Sequence, residues 1–159
     1  MSSLGWDRLT CDEPITTTLE SPMALHPYLF FSGTAREALT RYQEVLGGQL
    51  DIMAASEIPE GEDPGMELAP DAVMHAALVL ADGTMIMGSD DPTGDGAGVK
   101  GIALHLSFED LDEVRRVFDA LAEGGEVQMP LEPAFWSPLF GACVDRFGVS
   151  WMLSGEMEG

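Results

Sequence analysis

The sequence predicts an α+β fold in which a βαβββ unit occurs twice. The two units are expected to form half-open, curved, barrel-like sheets around a cavity, with the helices outside. Three observations predict this. Two amphipathic runs open at capping sequences, Thr34-Ala35-Arg36-Glu37 and Asp110-Leu111-Asp112-Glu113, and stop at glycine pairs, Gly47-Gly48 and Gly124-Gly125. Each run follows a short apolar strand and precedes extended segments that close in a tight hairpin. The glycine pairs lie 77 residues apart and the hairpin glycines Gly83 and Gly148 lie 65 apart; the 12-residue difference is the length of a Pro/Gly/Glu-rich insert at residues 59–70 that only the first unit has.

Taken in order, residues 1–24 mix Ser, Thr, Asp, Glu and Pro without periodicity and read as a flexible N-terminal extension, with Trp6 a candidate to tuck onto the domain. The domain is expected over residues 25–155, with units at about 25–90 and 99–155. Residues 27–31 form a first strand. Thr34 then caps a helix whose apolar positions Ala35, Ala38, Leu39, Tyr42, Val45 and Leu46 follow the i, i+3, i+4, i+7 rule, with Glu37 placed to return a bond to the cap. Residues 49–58 continue as a strand, and residues 72–80 and 84–89 form a hairpin around Asp82-Gly83. A Gly/Asp-rich loop at 90–98 joins the units. In the second, residues 101–108 are a strand, and the helix over 110–123 buries Leu111, Val114, Val117, Phe118 and Leu121. Residues 126–131 form the next strand, and 139–144 with 149–153 close a hairpin around Asp145–Gly148. Each amphipathic helix covers one face of its strands and leaves the other face to line something.

At 159 residues the chain can bury roughly 68–70% of its unfolded surface, so neither metal nor disulfide is needed for stability. Its two cysteines are too few for a disulfide framework; Cys143 sits in an apolar strand and reads as a small core residue, while Cys11 falls in the extension. There is no run of 18 apolar residues and no signal-peptide pattern, so a cytoplasmic protein is expected. With 28 acidic against 7 basic residues the net charge is −21, which argues against nucleic acid and anionic membranes as partners. The acids are spread along the chain, the pattern of a solubilising or salt-adapted surface; attraction of a cationic ligand is the functional alternative.

The residues Pro27-Tyr28-Leu29-Phe30-Phe31, Glu37-Ala38-Leu39 with Tyr42, Gly47-Gly48 and Met74-His75-Ala76 form one half of a further pattern. Met129-Pro130-Leu131, Phe135-Trp136, Phe140-Gly141, Asp145, Phe147-Gly148-Val149 and Trp151-Met152 complete it. The pattern resembles the PhnB-like branch of the vicinal oxygen chelate superfamily, which includes glyoxalase I, bleomycin-resistance proteins and extradiol dioxygenases. The resemblance covers roughly residues 26–155 and implies a homodimer that binds a small organic ligand in an apolar cavity. It leaves open whether the units pair within a chain or swap across the dimer. In metal-using members one ligand comes from the first and one from the last strand of each unit. Those positions are expected near Pro27, Met87, Ala103 and Met152, none of which suits a hard or borderline divalent ion, so the usual metal site is expected to be absent and no cofactor is implied. The branch sometimes carries a methyltransferase name, yet no glycine loop for S-adenosylmethionine or a dinucleotide follows a parallel strand.

The ligand pocket is expected to include Phe31, His75, His105, Phe135 and Trp136. His75 shares a strand face with Val73, Ala77 and Val79, and His105 with Ala103 and Ser107. Each fits either a pocket wall or a core histidine held by one hydrogen bond. His26, before a proline, reads as an exposed end residue. Phe135-Trp136, among Pro130, Pro133 and Pro138, reads as an aromatic wall, a lid or a dimer contact. His75 and His105 are the candidate catalytic residues of the alternative reading, a lyase-, isomerase- or dioxygenase-type enzyme with or without a metal. Gly94-Asp95-Gly96-Ala97-Gly98 lacks the Lys-Ser/Thr of a phosphate loop, and acidic pairs such as Glu62-Asp63 read as solvated charge.

Overall fold

A computed structural model describes residues 23–61, 69–91 and 100–157. The first unit runs β1 (Tyr28–Phe31), α1 (Ala35–Leu46), β2 (Gln49–Ala54), β3 (Val73–Val79) and β4 (Met85–Asp90). The second runs β5 (Leu104–Phe108), α2 (Leu111–Ala122), β6 (Glu126–Ala134), β7 (Ser137–Val144) and β8 (Ser150–Gly155). The sheets have matching orders, β1-β4-β3-β2 and β5-β8-β7-β6, each with its first and last strands parallel. The α+β fold of two mixed, open, curved sheets is therefore the predicted one. The extension to residue 22, residues 62–68 of the insert and the 94–98 glycines lie outside the described residues.

The repeat extends to single backbone contacts. Gly47 and Gly124 both hold φ +78° at the helix ends, where a side chain would be strained. Gly48 and Gly125 lie so close to the carbonyls of Val79 and Val144 that a Cβ would overlap each oxygen. Those two strand residues keep the 65-residue offset of Gly83 and Gly148.

Other expectations are corrected. The capping box at Thr34 does not form, because Thr34 makes no side-chain cap bond. Asp90, at the end of β4, supplies the acceptor instead: Oδ1 takes the N–H groups of Gly33 (3.1 Å) and Ala35 (2.9 Å), and Oδ2 takes that of Val73 (2.9 Å). One carboxylate thus fixes the starts of α1 and β3 beside β1. In α2 the local cap does form, Asp110 accepting from the N–H of Asp112 at 2.9 Å. The strand expected through residue 58 stops at Ala54, where a short 3₁₀ turn (Ala55–Glu57) lets the Glu57 carboxylate accept the Ala54 N–H. The strand expected at residues 126–131 is longer, taking in part of the Pro-bounded segment. β6 runs on to Ala134, and Phe135-Trp136 is the two-residue turn into β7.

The units pack through their helix-bearing faces. Tyr42 of α1 donates to the Asp145 carboxylate in the β7–β8 turn, and its ring meets the edge of Trp151 at 5.2 Å. Arg41 donates to Ala120 O of α2 and to Glu123 just beyond its end, and Arg116 donates to Val45 O of α1. Leu29, Leu39, Leu78 and Ile86 share one buried cluster with Val117, Phe118, Trp151 and Leu153. The helix-free faces of the sheets consequently point away from each other, so one chain does not by itself close the expected cavity between them.

Candidate functional site

Strand alternation sorts each sheet into a buried face under its helix and an open face. In the first sheet Leu29, Phe31, Leu78 and Ile86 lie under α1. Tyr28, Phe30, His75, Ala77, Met87 and Ser89 take the open face, and register aligns Tyr28, Met87, Ala77 and Asp51 in one row. Phe30 is 61% exposed. Phe31, expected in the pocket, is one residue out of phase: it is buried against Gly88 and α1. Phe30 and Tyr28 hold the open positions, and only the strand's phase relative to the helix could have told them apart.

His75 does lie on the open face, exposed, with Nδ1 3.2 Å from the Tyr28 hydroxyl. The Tyr28 ring also contacts Phe30 at 5.2 Å. His105 is exposed on the open face of the second sheet, its Nε2 2.8 Å from the Ser154 hydroxyl. Register places it beside Met152 and, one strand on, Ala142. The two histidines are therefore on equivalent faces of different sheets and do not converge within the chain. His26, expected to be an exposed end residue, is half-buried and accepts the Met85 N–H at 3.1 Å.

Phe135 is 92% exposed at the hairpin tip. Its ring meets Trp136 edge-on at 4.7 Å, and Trp136 meets Phe140 at 5.4 Å. Phe140 pairs with Ser154 on the open face, so the aromatic run borders that face from one end. Phe140 and Tyr28 were missed as wall residues. Their signal was the strand parity they share with His105 and His75.

Register pairs Met87 and Met152, two of the four positions named from the resemblance, with residues other than Pro27 and Ala103. Tyr28, not Pro27, stands opposite Met87, and His105, not Ala103, stands opposite Met152. Each of these two strand pairs therefore sets one oxygen or nitrogen donor against one thioether. Among the described residues no three His, Cys, Asp or Glu side chains gather as a metal site would require. The first turns of both helices are taken by Asp90 and Asp110, which fills the place a phosphate would use. The described basic residues lie on α1, α2, the β7–β8 turn or ahead of β5, and none stands on an open face.

Beneath the faces, Asp145 is 5% exposed and collects four donors: the backbone N–H groups of Phe147 and Val149, the Trp151 indole at 2.9 Å and the Tyr42 hydroxyl. Burial, followed by the Asp145 charge, pushes the Tyr42 phenol far above its ordinary range and keeps it a neutral donor. Burial pushes the Cys143 thiol up to about 11, which makes it an inert core group.

Residues 23–154 match the sequence model of a family described as 3-demethylubiquinone-9 3-methyltransferase. The PhnB protein of Bacillus cereus, described under the same name, is 28% identical, with a TM-score of 0.67 over 84% of this chain and 99% of that one. The chain belongs to the PhnB-like family. Protein PA1353 of Pseudomonas aeruginosa is 43% identical to this PhnB-like chain, with a TM-score of 0.73, covering 86% of this chain and all of that one. A glyoxylase/bleomycin resistance protein/dioxygenase domain from Frankia shares the fold at 17% identity and a TM-score of 0.58, over 87% of this chain and 96% of that one. The PhnB-like chain thus has the fold of a glyoxylase/bleomycin resistance protein/dioxygenase domain.

Proposed function

We propose that this PhnB-like protein is a cytoplasmic homodimer that binds a small organic molecule in an apolar cavity, without the superfamily's usual metal site. The observation that carries the reading is the pair of outward-facing, helix-free faces, one lined by Tyr28, Phe30, His75 and Met87, the other by His105, Phe140 and Met152. The exposed Tyr28 and Phe30 rings, beside the half-buried thioethers of Met87 and Met152, mark an interaction surface. A second copy would oppose the first-sheet face of one protomer to the second-sheet face of the other, enclosing two equivalent cavities. Met87 and Met152 in two of the four metal positions support metal-free binding. Among the described residues no Lys or Arg stands on either open face, which with Asp51 in the Tyr28 row favours a neutral or cationic ligand over an anion. The bleomycin-resistance name of a fold relative accords with this ligand class.

The test combines light-scattering mass, metal analysis and a thermal-shift screen of neutral and cationic aromatic compounds. A dimer stabilised stoichiometrically by such a compound, without metal, is expected. A monomer that no compound stabilises would sink the reading.

A second reading is favoured by the two imidazole–hydroxyl pairs, His75 with Tyr28 and His105 with Ser154. It is a lyase-, isomerase- or dioxygenase-type reaction with the histidines as general acid and base. Turnover that titrates near neutral pH and disappears in both His75→Ala and His105→Ala would select it; binding without product would select the first.

A further inference from the structure

Where the end of β1 and the start of α1 meet the α2–β6 and β7–β8 turns of the second unit, the chain leaves a cleft of about 420 Å³. Small-molecule sites have volumes of about 300–1,000 Å³. Of the open-face side chains described above only Phe30 takes part in its lining; Tyr28, Met87, Met152 and both open-face histidines do not.

Two opposite charges line this cleft, Glu126 at the start of β6 and Arg146 in the β7–β8 turn. Both are exposed, and among the described residues neither forms an ion pair, with the other or with a third group. Acids outnumber bases 28 to 7 in the chain, and Arg41, Arg115 and Arg116 each hold a carboxylate. Arg146 and Glu126 instead share a cleft without closing on each other. Arg146 is nonetheless fixed in place. Its stem lies over Gly124, where a Cβ would come within 3.3 Å of the Arg146 Cδ, and its guanidinium carbon stands 5.0 Å from the Phe147 ring centroid. A guanidinium held in this way loses little freedom on taking a carboxylate in two parallel N–H···O bonds. Thr34, whose hydroxyl makes no cap bond, lines the cleft from the first unit. Asp145, which also lines it, is already engaged by four donors.

The charges decide the class of occupant. A simple anion would lie beside Glu126, and a simple cation would face Arg146. A molecule with one charge of each sign is matched by both groups, and its neutrality spares it the repulsion of a chain with net charge −21. We infer that this cleft binds a small zwitterion of the amino-acid class, Arg146 taking its carboxylate and Glu126 its ammonium, with the Phe147 ring alongside. Such an occupant spans the junction that Tyr42 and Asp145 hold from within. The inference is independent of ligand binding at the open faces.

The test is calorimetric titration of the full chain with L-phenylalanine and the other common L-amino acids, and with the N-acetyl and carboxamide derivatives of whichever binds most tightly. A free amino acid should bind at one site per chain, and each derivative, having lost one charge, should bind about tenfold more weakly. Arg146→Gln should weaken the free amino acid about tenfold and abolish its advantage over the carboxamide, while Glu126→Gln should abolish its advantage over the N-acetyl form. Neither side chain holds an ion pair, so both variants should melt as the parent does without ligand. His75→Ala/His105→Ala should bind the amino acid as tightly as the parent, which separates this site from the open faces. No binding of any of these amino acids at about 10 mM overturns the inference. So does binding that survives both Arg146→Gln and Glu126→Gln, or that disappears in His75→Ala/His105→Ala. Loss in Arg146→Gln alone, with the N-acetyl form bound as tightly as the free amino acid, would make this an anion site and equally overturn it.

Discussion

The two units share a backbone and exchange their chemistry. Ser89 and Ser154, Met87 and Met152, and Ala77 and Ala142 occupy matching positions on the open faces. Yet where the first unit has Tyr28 the second has His105, and where the first has His75 the second has Phe140. At these two matched positions each face thus has one imidazole and one aromatic ring, in swapped places. The first face is open at His75, which is exposed beside Phe30; the second is closed at the matching position, with Phe140 buried and the Trp136 hairpin alongside. Duplication preserved what the backbone requires, namely the glycine contacts and strand rows. It released the side chains, so that the two open faces became unlike.

The glue between the units is equally asymmetric, because only the second has a buried carboxylate in its closing turn. Asp145→Ala should therefore have the largest effect. It leaves Tyr42, Trp151 and two backbone N–H groups without their acceptor, an expected loss of about 4 kcal/mol, readable as a fall in urea midpoint and in Tm of about 10 °C. A loss below about 1 kcal/mol would mean that the units do not depend on this latch. Next come the glycines that should behave alike. Gly48→Ala and Gly125→Ala should each cost about 3 kcal/mol by forcing a Cβ into a carbonyl. If only one does, the backbone repeat is less faithful than the matching contacts imply.

The helix starts sharpen the comparison at smaller scale. Asp90→Ala should cost about 2 kcal/mol and Asp110→Ala about 1 kcal/mol, whereas Thr34→Ala should stay within about 0.5 kcal/mol, because α1 takes its cap from β4. Equal losses for Thr34 and Asp110 would restore the capping box. Alkaline pH probes the core that joins the units. Cys143 and Tyr42 have folded pKa values above their ordinary 9.0 and 10.0. In that range the native state keeps protons that the unfolded chain releases. Their contribution is whole below about pH 9 and declines as pH rises, by up to about 1.4 kcal/mol per unit for each group. Urea midpoints between pH 8 and 11 should fall accordingly, and less steeply in Cys143→Ala and Tyr42→Phe. The smallest stability effect belongs to His75→Ala/His105→Ala, expected within about 0.5 kcal/mol because both rings are exposed. The same variant should lose the ligand-induced thermal shift of the parent.

Much of the fold was legible because its determinants are local. The helical spacing of Leu39, Tyr42 and Val45, the stops at Gly47 and Gly124, and the turns at Gly83 and Gly148 are each set within a few residues, and each appears where the pattern put it. The site was legible only in part. His75 and His105 are on open faces, but Phe31 faces the core and Phe135-Trp136 form a hairpin turn. A single-residue phase, or a strand running on through prolines, has no local signature.

By itself the sequence determined the repeat, both amphipathic helices, the insert in the first copy and the family pattern around Phe147-Gly148-Val149. Only the tertiary structure decided that Asp90 caps α1 from 55 positions away, that Asp145 gathers Tyr42 across 103 positions, and that the open faces turn outward. The reason is physical. Periodicity records which face of an element is apolar, whereas the partner that covers this face, and the polar groups buried with it, depend on how separately formed units come together.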